Sequence, residues 1–309
     1  MNVLSLFDGI SCGMVALQRA KIKVDEYFAY EIEPNAIKVS QYHYPNIKQM
    51  GDVTKADFTK LGKIDLLIGG SPCQGFSFAG KGLNFDDPRS KLFFEYVRAL
   101  QEVKPKYFLL ENVIMKQEWQ DVISKYLGVK PILINSALVS AQNRQRLYWT
   151  NIPNVRLPKD KGIKLSDILE DIEFENPGVI RGRKLNKATI VGRRLNDNGH
   201  REDYNKNIPV TQCLEVRKTN TDKSNCITTV DKDNVLTPLS YGRYPNAFKN
   251  GLPFRYYTTK EYCRLQTLPD DYVDMIPQSA ARKAIGNGWT VDVIAHIFSF
   301  LSDEYKIKE

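Results

Sequence analysis

The sequence predicts an α/β protein built on a doubly wound, mostly parallel sheet with a smaller inserted domain, and three observations lead to this prediction. Short apolar runs alternate with helical stretches over the first half of the 309-residue chain. Five of these runs end at a polar or reactive side chain, and the first four ends are spaced by roughly twenty residues, the length of a βα unit. From residue 154 to about residue 253 the alternation fades, and Pro, Gly, Asn and charged residues dominate.

The apolar runs predict the strands in chain order. They lie at residues 3–7, 27–30, a run ending near 50–52, 64–68, 107–110, 132–134 and 147–149. Helices are expected at residues 14–20 and after Pro34, because proline suits the first helical position. In residues 257–265 a threonine followed by an acid predicts a capped helix start.

The last helix predicts how the two ends of the chain meet. Its apolar side chains fall on one face and need a surface to cover. They are Val293, Ile294, Ile297, Phe298 and Leu301. The uncovered face of the N-terminal sheet is the expected surface, so residues 1–153 and 254–309 are predicted to form one domain, with residues 154–253 inserted as another.

Composition narrows the class of protein. No apolar run approaches the length of roughly 18 residues that a membrane helix needs, and nothing suggests export, so a cytoplasmic protein is expected. The five cysteines form no C-x-x-C pair and are odd in number, which favours a reducing compartment over a disulfide scaffold. The three histidines lie far apart without ligand spacing, so no metal site is predicted.

Positive charge is concentrated in the predicted insert. The chain has a net charge of +8, and residues 180–225 carry eleven Lys or Arg against five Asp or Glu. Arg193, Arg194, Arg217 and Lys218 stand there among Asn, Thr and Gly, side chains that suit phosphate oxygens and base edges. A nucleic-acid partner is one interpretation, and a solvated surface is the other.

The first strand end predicts a nucleoside site. Residues 7–13 contain two glycines but do not match G-x-G-x-x-G, so a pyrophosphate is not required. Glu31 follows about twenty residues later, where an acid accepts hydrogen bonds from ribose hydroxyls. Asp52 is placed to accept a hydrogen bond from an adenine amino group. Helix capping or solvation is the alternative for both acids.

Cys73 follows the fourth apolar run in the stretch Gly-Gly-Ser-Pro-Cys-Gln, which forces the chain to turn at the end of a strand. Ligands bind at that edge of an open α/β sheet. A cysteine there is poised for chemistry, although a small buried residue is the usual reading of a single cysteine.

Together these segments resemble the DNA cytosine-5 methyltransferases over nearly the whole chain, in that family's order and spacing. The matching pieces are residues 7–13, Glu31, Asp52, Pro72-Cys73-Gln74, Glu111-Asn112-Val113, residues 142–146, residues 264–266 and Gly286-Asn287. The resemblance implies S-adenosylmethionine as cofactor, double-stranded DNA as partner and the insert as a target-recognition domain. It also implies a mobile catalytic loop over residues 77–91.

The resemblance assigns roles to individual residues. The implied catalytic residues are Cys73, Gln74, Glu111, Asn112, Arg144 and Arg146. The implied cofactor residues are Phe7, Asp8, Gly9, Ile10, Gly13, Glu31, Ile32, Asp52, Val53, Pro72, Asn287 and Trp289. The implied DNA-binding residues are Ser77, Lys81, Arg89, Arg193, Arg194, Arg217, Lys218, Cys226, Ile227 and Thr228. Ser11 and Cys12 stand where the common family loop has glycines, as in the vertebrate de novo enzymes, and Cys226 replaces a threonine.

The implied chemistry explains these residue types. A thiolate at Cys73 adds to C6 of cytosine, which makes C5 nucleophilic. Glu111 holds or donates the proton at N3, and Arg146 binds the ring O2 and orients Glu111. The base must be rotated out of the duplex for this attack.

Three rival functions are each opposed by a feature of the sequence. An RNA substrate is opposed because the Cys-Phe-Thr signature of the RNA branch is missing from the sequence. A non-catalytic DNA-binding relative is opposed because Pro72-Cys73 and Glu111-Asn112 are intact. Nicotinamide-dependent oxidoreduction is opposed by the incomplete glycine motif. A monomer is expected, and whether a cognate restriction endonuclease acts beside it stays open.

Overall fold

The computed structural model of the protein describes residues 1–71, 91–172, 185–218 and 221–307. In this part of the chain the strands form one sheet of seven strands and another of five. Every helix found there is too short or too polar to cross a bilayer.

The seven-stranded sheet has the order β3-β2-β1-β4-β5-β7-β6. Strands β1 to β5 are parallel to one another, and β7 runs antiparallel to both β5 and β6. Its strands are β1 (Asn2–Leu6), β2 (Glu26–Tyr30), β3 (Lys48–Gln49), β4 (Leu66–Gly69), β5 (Tyr107–Val113), β6 (Ile132–Asn135) and β7 (Gln145–Thr150). The predicted α/β fold class and all seven predicted strands are confirmed.

Helices cover both faces of this sheet. They are α1 (Cys12–Arg19), α2 (Pro34–His43), α3 (Lys91–Val103), α4 (Gln117–Leu127), α5 (Thr259–Leu265), α6 (Gln278–Asn287) and α7 (Val291–Phe298). The buried side chains of α3 and α4 pack with Leu4, Leu67 and Phe108 in one apolar cluster. Those of α1 and α7 pack with Val3 and Leu66 in another. The sheet is therefore doubly wound.

The C-terminal helix packs as predicted. Val293, Ile294, Ile297 and Phe298 are fully buried, and they share their cluster with Val3 of β1. The predicted cap of α5 is also present: the Thr258 hydroxyl accepts from the Glu261 amide at 3.1 Å, and the Glu261 carboxylate accepts from the Thr258 amide at 2.9 Å. Both ends of the chain thus contribute to one core.

The five-stranded sheet is antiparallel and has the order β11-β9-β8-β10-β12. Its strands are β8 (Asn186–Arg194), β9 (Val210–Val216), β10 (Val235–Thr237), β11 (Gly242–Pro245) and β12 (Arg255–Tyr256). The predicted insert and this sheet differ at both ends. Strand β12 lies past residue 253, whereas Leu165 and Ile168 pack in the cluster of α1 and α7.

Candidate active site

A cavity of about 610 Å³ opens beside the ends of β1, β2, β4 and β5. The strand order reverses between β1 and β4, which is where doubly wound sheets bind ligands. Most of the described residues predicted for the cofactor and the chemistry line this cavity. These are Phe7, Asp8, Gly9, Ile10, Glu31, Ile32, Asp52, Val53, Glu111, Arg144, Arg146, Asn287 and Trp289.

The turn between β1 and α1 is held by Asp8. The carboxylate accepts hydrogen bonds from the hydroxyls of Ser5 at 2.6 Å, Tyr27 at 2.6 Å and Ser11 at 2.5 Å. Burial raises the pKa of Asp8, and these hydroxyl contacts oppose the rise. Phe7 and Ser11 take left-handed backbone conformations, with φ of 59° and 57°. The three bonds offset the cost of these conformations and fix the turn against the cavity.

Glu31 joins the end of β2 to the same turn. One carboxylate oxygen accepts from the Gly9 amide at 2.8 Å, and the other accepts from the amides of Ile32 at 2.8 Å and Glu33 at 2.9 Å. The Ile32 side chain beside it is 71% exposed at the cavity edge. Glu31 therefore shapes the cavity wall as well as offering it a carboxylate.

Asp52 caps a short helical turn at the cavity rim. Its Oδ1 accepts from the amide of Thr54 at 2.9 Å and from the Thr54 hydroxyl at 2.8 Å, and these bonds lower the pKa of Asp52. Val53 is buried behind it. Asp52 therefore caps a helical turn, as the alternative interpretation predicted, and it also lines the cavity.

Gly13 has a packing role that the predicted cofactor assignment did not include. A Cβ at this position would lie 2.5 Å from the Ile68 side chain and 3.0 Å from the Tyr27 hydroxyl. The glycine therefore lets α1 approach the sheet closely from behind the cavity. Its neighbour Cys12 lines the cavity instead, and burial raises the pKa of the Cys12 thiol to about 12.

Glu111 lies within β5, because that strand continues to Val113 and does not stop at Leu110 as predicted. Its Oε1 is 3.0 Å from Nε of Arg146, and its Oε2 accepts from the Trp289 indole at 3.2 Å. The pairing of β5 with β7 sets Val113 opposite Arg146, so Arg146 is the diagonal neighbour of Glu111. The predicted contact between Arg146 and Glu111 is present.

Arg144 is 4% exposed and directs its guanidinium toward backbone carbonyls. Nη1 donates to the Ile227 carbonyl at 3.1 Å, and Nη2 donates to the carbonyls of Gly286 at 3.2 Å and Gly288 at 3.0 Å. These contacts hold the guanidinium of Arg144 against the backbone beside the cavity, and its predicted catalytic role stays a prediction.

Asn112 holds the end of β4. Its amide nitrogen lies 3.3 Å from the Ser71 hydroxyl, and its oxygen accepts from the Val113 amide at 2.8 Å. These contacts fix the backbone after β4, and the implied catalytic role of Asn112 stays a prediction. The remaining predicted residues of this loop lie outside the described residues: Pro72, Cys73, Gln74, Ser77, Lys81 and Arg89.

The insert contradicts part of the predicted DNA surface. Arg193 donates to both carboxylate oxygens of Glu215, at 2.8 and 3.1 Å, and its side chain is only 13% exposed. Arg217 and Arg243 approach the same carboxylate at 3.3 and 3.1 Å, and the hydrogen bonds from these arginines lower the pKa of Glu215 to about 2. Arg193 is therefore an internal ion-pair partner.

The other residues of the insert that were predicted to bind DNA differ in their exposure. Arg217 and Lys218 are exposed, and the Lys218 amine lies over the Tyr241 ring at 5.2 Å. Arg194 is half-buried, and its backbone amide donates to Asp203.

Residues 226–228 lie where the insert meets the cavity. Ile227 was predicted to contact DNA, but its side chain is 1% exposed and packs in the core. The Thr228 hydroxyl donates to Asp233 at 2.7 Å and helps to shape a turn. The Cys226 sulfur lies 3.4 Å from Nη1 of Arg144 and 3.8 Å from Nη2 of Arg146.

Sequence reasoning missed Tyr27 and Gly70. Tyr27 is a buried aromatic in a strand, which predicts only core packing, yet its hydroxyl holds Asp8. A Cβ on Gly70 would lie 3.0 Å from the Trp289 indole nitrogen and 3.1 Å from the Glu111 carboxylate. The paired glycines after β4 were a usable signal for this close approach.

A doubly wound sheet with a cavity at its switch point, an acid after the second strand and a half-buried Glu-Arg pair is typical of the ligand site of an α/β enzyme. The sequence signature described as C-5 cytosine-specific DNA methylase matches residues 1–302. The chain belongs to that family and is a DNA cytosine-5-methyltransferase.

Individual relatives agree with this assignment. The chain is 30% identical to the type II methyltransferase M1.ScrFI of Lactococcus lactis subsp. cremoris, over 95% of this chain and 76% of that protein. It is 30% identical to M.Eco47II of Escherichia coli, over 94% and 76%. The solved structure of the Entamoeba histolytica methyltransferase EhMeth has the same fold, with a TM-score of 0.70 at 17% identity over 99% of both chains.

Proposed function

We propose that the protein transfers a methyl group to C5 of a cytosine flipped out of a specific double-stranded DNA sequence, through a covalent bond between Cys73 and C6. The observation that carries this proposal is the Glu111 carboxylate, held by Arg146 and Trp289 at the cavity. A carboxyl group fixed on both oxygens beside a nucleoside-sized cavity is suited to hold a proton at one ring nitrogen.

The cavity fits S-adenosylmethionine. Its volume of about 610 Å³ suits a ligand of this size. Glu31 and Asp52 offer carboxylates for the ribose hydroxyls and the adenine amino group, and Ile32 and Val53 offer apolar walls for the base. When bound, S-adenosylmethionine would supply a methyl group activated by a positively charged sulfonium sulfur, which would leave as a neutral thioether.

Cys73 and Glu111 then act on the cytosine ring. The Cys73 thiolate forms a bond to C6, the electron pair of the C5–C6 double bond shifts toward C5, and N3 takes a proton held by Glu111. Arg146 donates to the ring O2 while it holds Glu111. After methyl transfer, a base takes the proton from C5, the thiolate leaves C6 so that the C5–C6 double bond is restored, and the N3 proton returns to Glu111.

We also propose that residues 1–153 with 254–309 carry the chemistry and that residues 154–253 recognise DNA. The second sheet and the exposed cations Arg217 and Lys218 support this division. Because β12 belongs to the second sheet, the recognition domain ends at about residue 256 and not at residue 253. Rotating a base out of the duplex costs a few kcal/mol, which contacts from both parts must offset.

The cellular setting is proposed from the relatives. Two of them are named type II methyltransferases, which supports a cognate restriction endonuclease that acts separately. We propose a monomer in the bacterial cytoplasm, near the nucleoid, for a bacterial or phage enzyme. Light scattering of the protein alone and with a DNA duplex tests the monomer.

Bisulfite sequencing of DNA from a methylation-free host that expresses the chain tests the function. It reports substrate, product and recognition sequence together, and an RNA of the same sequence serves as the alternative substrate in vitro. Methylation of the RNA and not of the DNA would contradict the proposal.

A target site with fluorine at C5 tests the mechanism, because the adduct then has no proton to lose and persists through denaturation. Cys73→Ser should abolish the adduct, and Glu111→Gln should form it far more slowly. A peptide map that places the DNA on Cys12, Cys213, Cys226 or Cys263 would overturn the role of Cys73.

A further inference from the structure

A closed ring of hydrogen bonds connects the insert to the acid of the active site. Arg144 reaches the Ile227 carbonyl of the insert with Nη1 and the Gly288 carbonyl with Nη2. Trp289, the next residue, donates to Glu111, and Glu111 pairs with Arg146. The Cys226 sulfur, 3.4 Å from Arg144 and 3.8 Å from Arg146, closes the ring.

The insert has little freedom to move at this junction. A Cβ on Gly286 would lie 2.7 Å from the Thr228 carbonyl oxygen, so α6 and residue 228 are already in contact. Ile227 is anchored in the core of the larger sheet. Because the backbone is held on both sides, the Cys226 sulfur is presented to the two guanidinium groups at a fixed place.

We infer that Cys226 is a positioning residue through which the insert sets the orientation of the Arg146–Glu111 pair. This inference rests on the proposed role of Glu111 as the group that holds the N3 proton. Nε of Arg146 pairs with Glu111, Nη1 donates to the Gln145 carbonyl, and Nη2 donates to the Cys226 sulfur. Without the sulfur, Nη2 loses this acceptor and the guanidinium is free to tilt, which moves the carboxyl group away from the ring nitrogen.

The test compares Cys226→Ala and Cys226→Ser with Cys213→Ala. Cys213 is the matched control, because it lies in the same insert, is buried in β9 and has its sulfur near the Thr211 carbonyl. Methyl transfer to a duplex is measured at saturating and at limiting DNA, and the melting temperature is recorded for each variant. These readouts separate positioning from folding.

Cys226→Ala should lower kcat by about 10-fold to 100-fold, the loss that follows from a small misplacement of a catalytic group, with the KM for DNA unchanged. Cys226→Ser should recover most of the lost turnover, because its hydroxyl can still accept from the arginines. Cys213→Ala should keep the kcat of the natural chain. The melting temperatures of the three variants should be similar to one another.

Glu111→Gln, assayed beside these variants, separates the two proposals. Loss of turnover in Glu111→Gln with wild-type kcat in Cys226→Ala would overturn the inference and leave the proposed function standing. An effect on KM alone, or equal losses in Cys226→Ala and Cys226→Ser, would also overturn it. Wild-type turnover in Glu111→Gln would overturn the role of Glu111 and the inference with it.

Discussion

The cavity and the five-stranded sheet use arginine in different ways. At the cavity, Arg146 pairs with Glu111 one to one, and both side chains still face the space that the ligand enters. In the sheet, Arg193, Arg217 and Arg243 share the single carboxylate of Glu215. The difference shows that a surplus of positive charge does not identify the arginines available to DNA. The exposure of each guanidinium and its neighbours together decide that.

The largest effect is expected from Arg146→Ala. Arg146 holds Glu111 and is the group proposed to donate to the ring, so its removal should lower turnover by about 100-fold or more, as the loss of one oxyanion-type donor does. Steady-state methyl transfer measures it. Arg19→Ala is the control, because Arg19 forms a partly exposed ion pair with Asp292. Comparable losses in both variants would contradict the difference drawn between the cavity and the surface.

Glu31→Ala should give the next largest effect. The variant loses one carboxylate that three backbone amides share, and the affinity for S-adenosylmethionine should fall by about 1.5–3 kcal/mol, the range for hydrogen bonds to a charged group. Calorimetry without DNA measures the affinity. Glu26→Ala, at the first residue of β2 and in an exposed pair with Lys48, should bind normally. Wild-type affinity in Glu31→Ala would remove Glu31 from the site.

Arg193→Ala should act on folding instead of on DNA. The free energy of unfolding at neutral pH should fall by about 1–3 kcal/mol, because Glu215 keeps two other arginines. The pKa of Glu215 is lowered from 4.5 to about 2, so its stabilisation is complete above pH 4.5 and is lost as the pH falls toward 2. Denaturant titrations should therefore show the variant and the natural chain converging over that range. A constant difference would show that Glu215 is not involved.

The smallest effect belongs to Arg217→Ala. Its side chain is 71% exposed, so it can reach a phosphate, and the slope of log affinity against log salt should decrease by about 1. Fluorescence anisotropy with a duplex over a salt series measures the slope. Arg193→Ala should leave the slope unchanged. The reverse result would assign the DNA surface to Arg193.

Much of the larger sheet could be predicted because its strands are buried on both faces and read as continuous apolar runs. Val3 and Leu66 are examples, since both are fully buried. The second sheet could not be predicted, because β8 contains Gly192, Arg193 and Arg194 and gives no alternating pattern. Its partners are also far along the chain.

The candidate site was predictable where the end of a strand fixes a residue, as for Glu31. It was not predictable where the role of a residue depends on contacts with distant parts of the chain. Gly13 resembles Gly9 in sequence, yet only the structure shows that Gly13 packs against Ile68. Ile227 stands in a polar stretch, and its burial depends on a core formed by distant segments. The reach of Arg146 to Glu111 depends on the register of β5 with β7.

The reversed direction of β7 has a consequence for how this fold can gather chemical groups. Parallel strands bring only the residues near their final positions to the ligand edge, and each βα unit thus contributes through the connection that leaves it. A strand that runs the other way brings its first residues to the same edge. Arg144 precedes β7 and Arg146 lies at its second position, so both reach the cavity from the start of that strand. The inversion of one strand thereby lets a chain segment that returns from β6 place two cations beside an acid on β5, which an all-parallel arrangement would have left at the opposite edge.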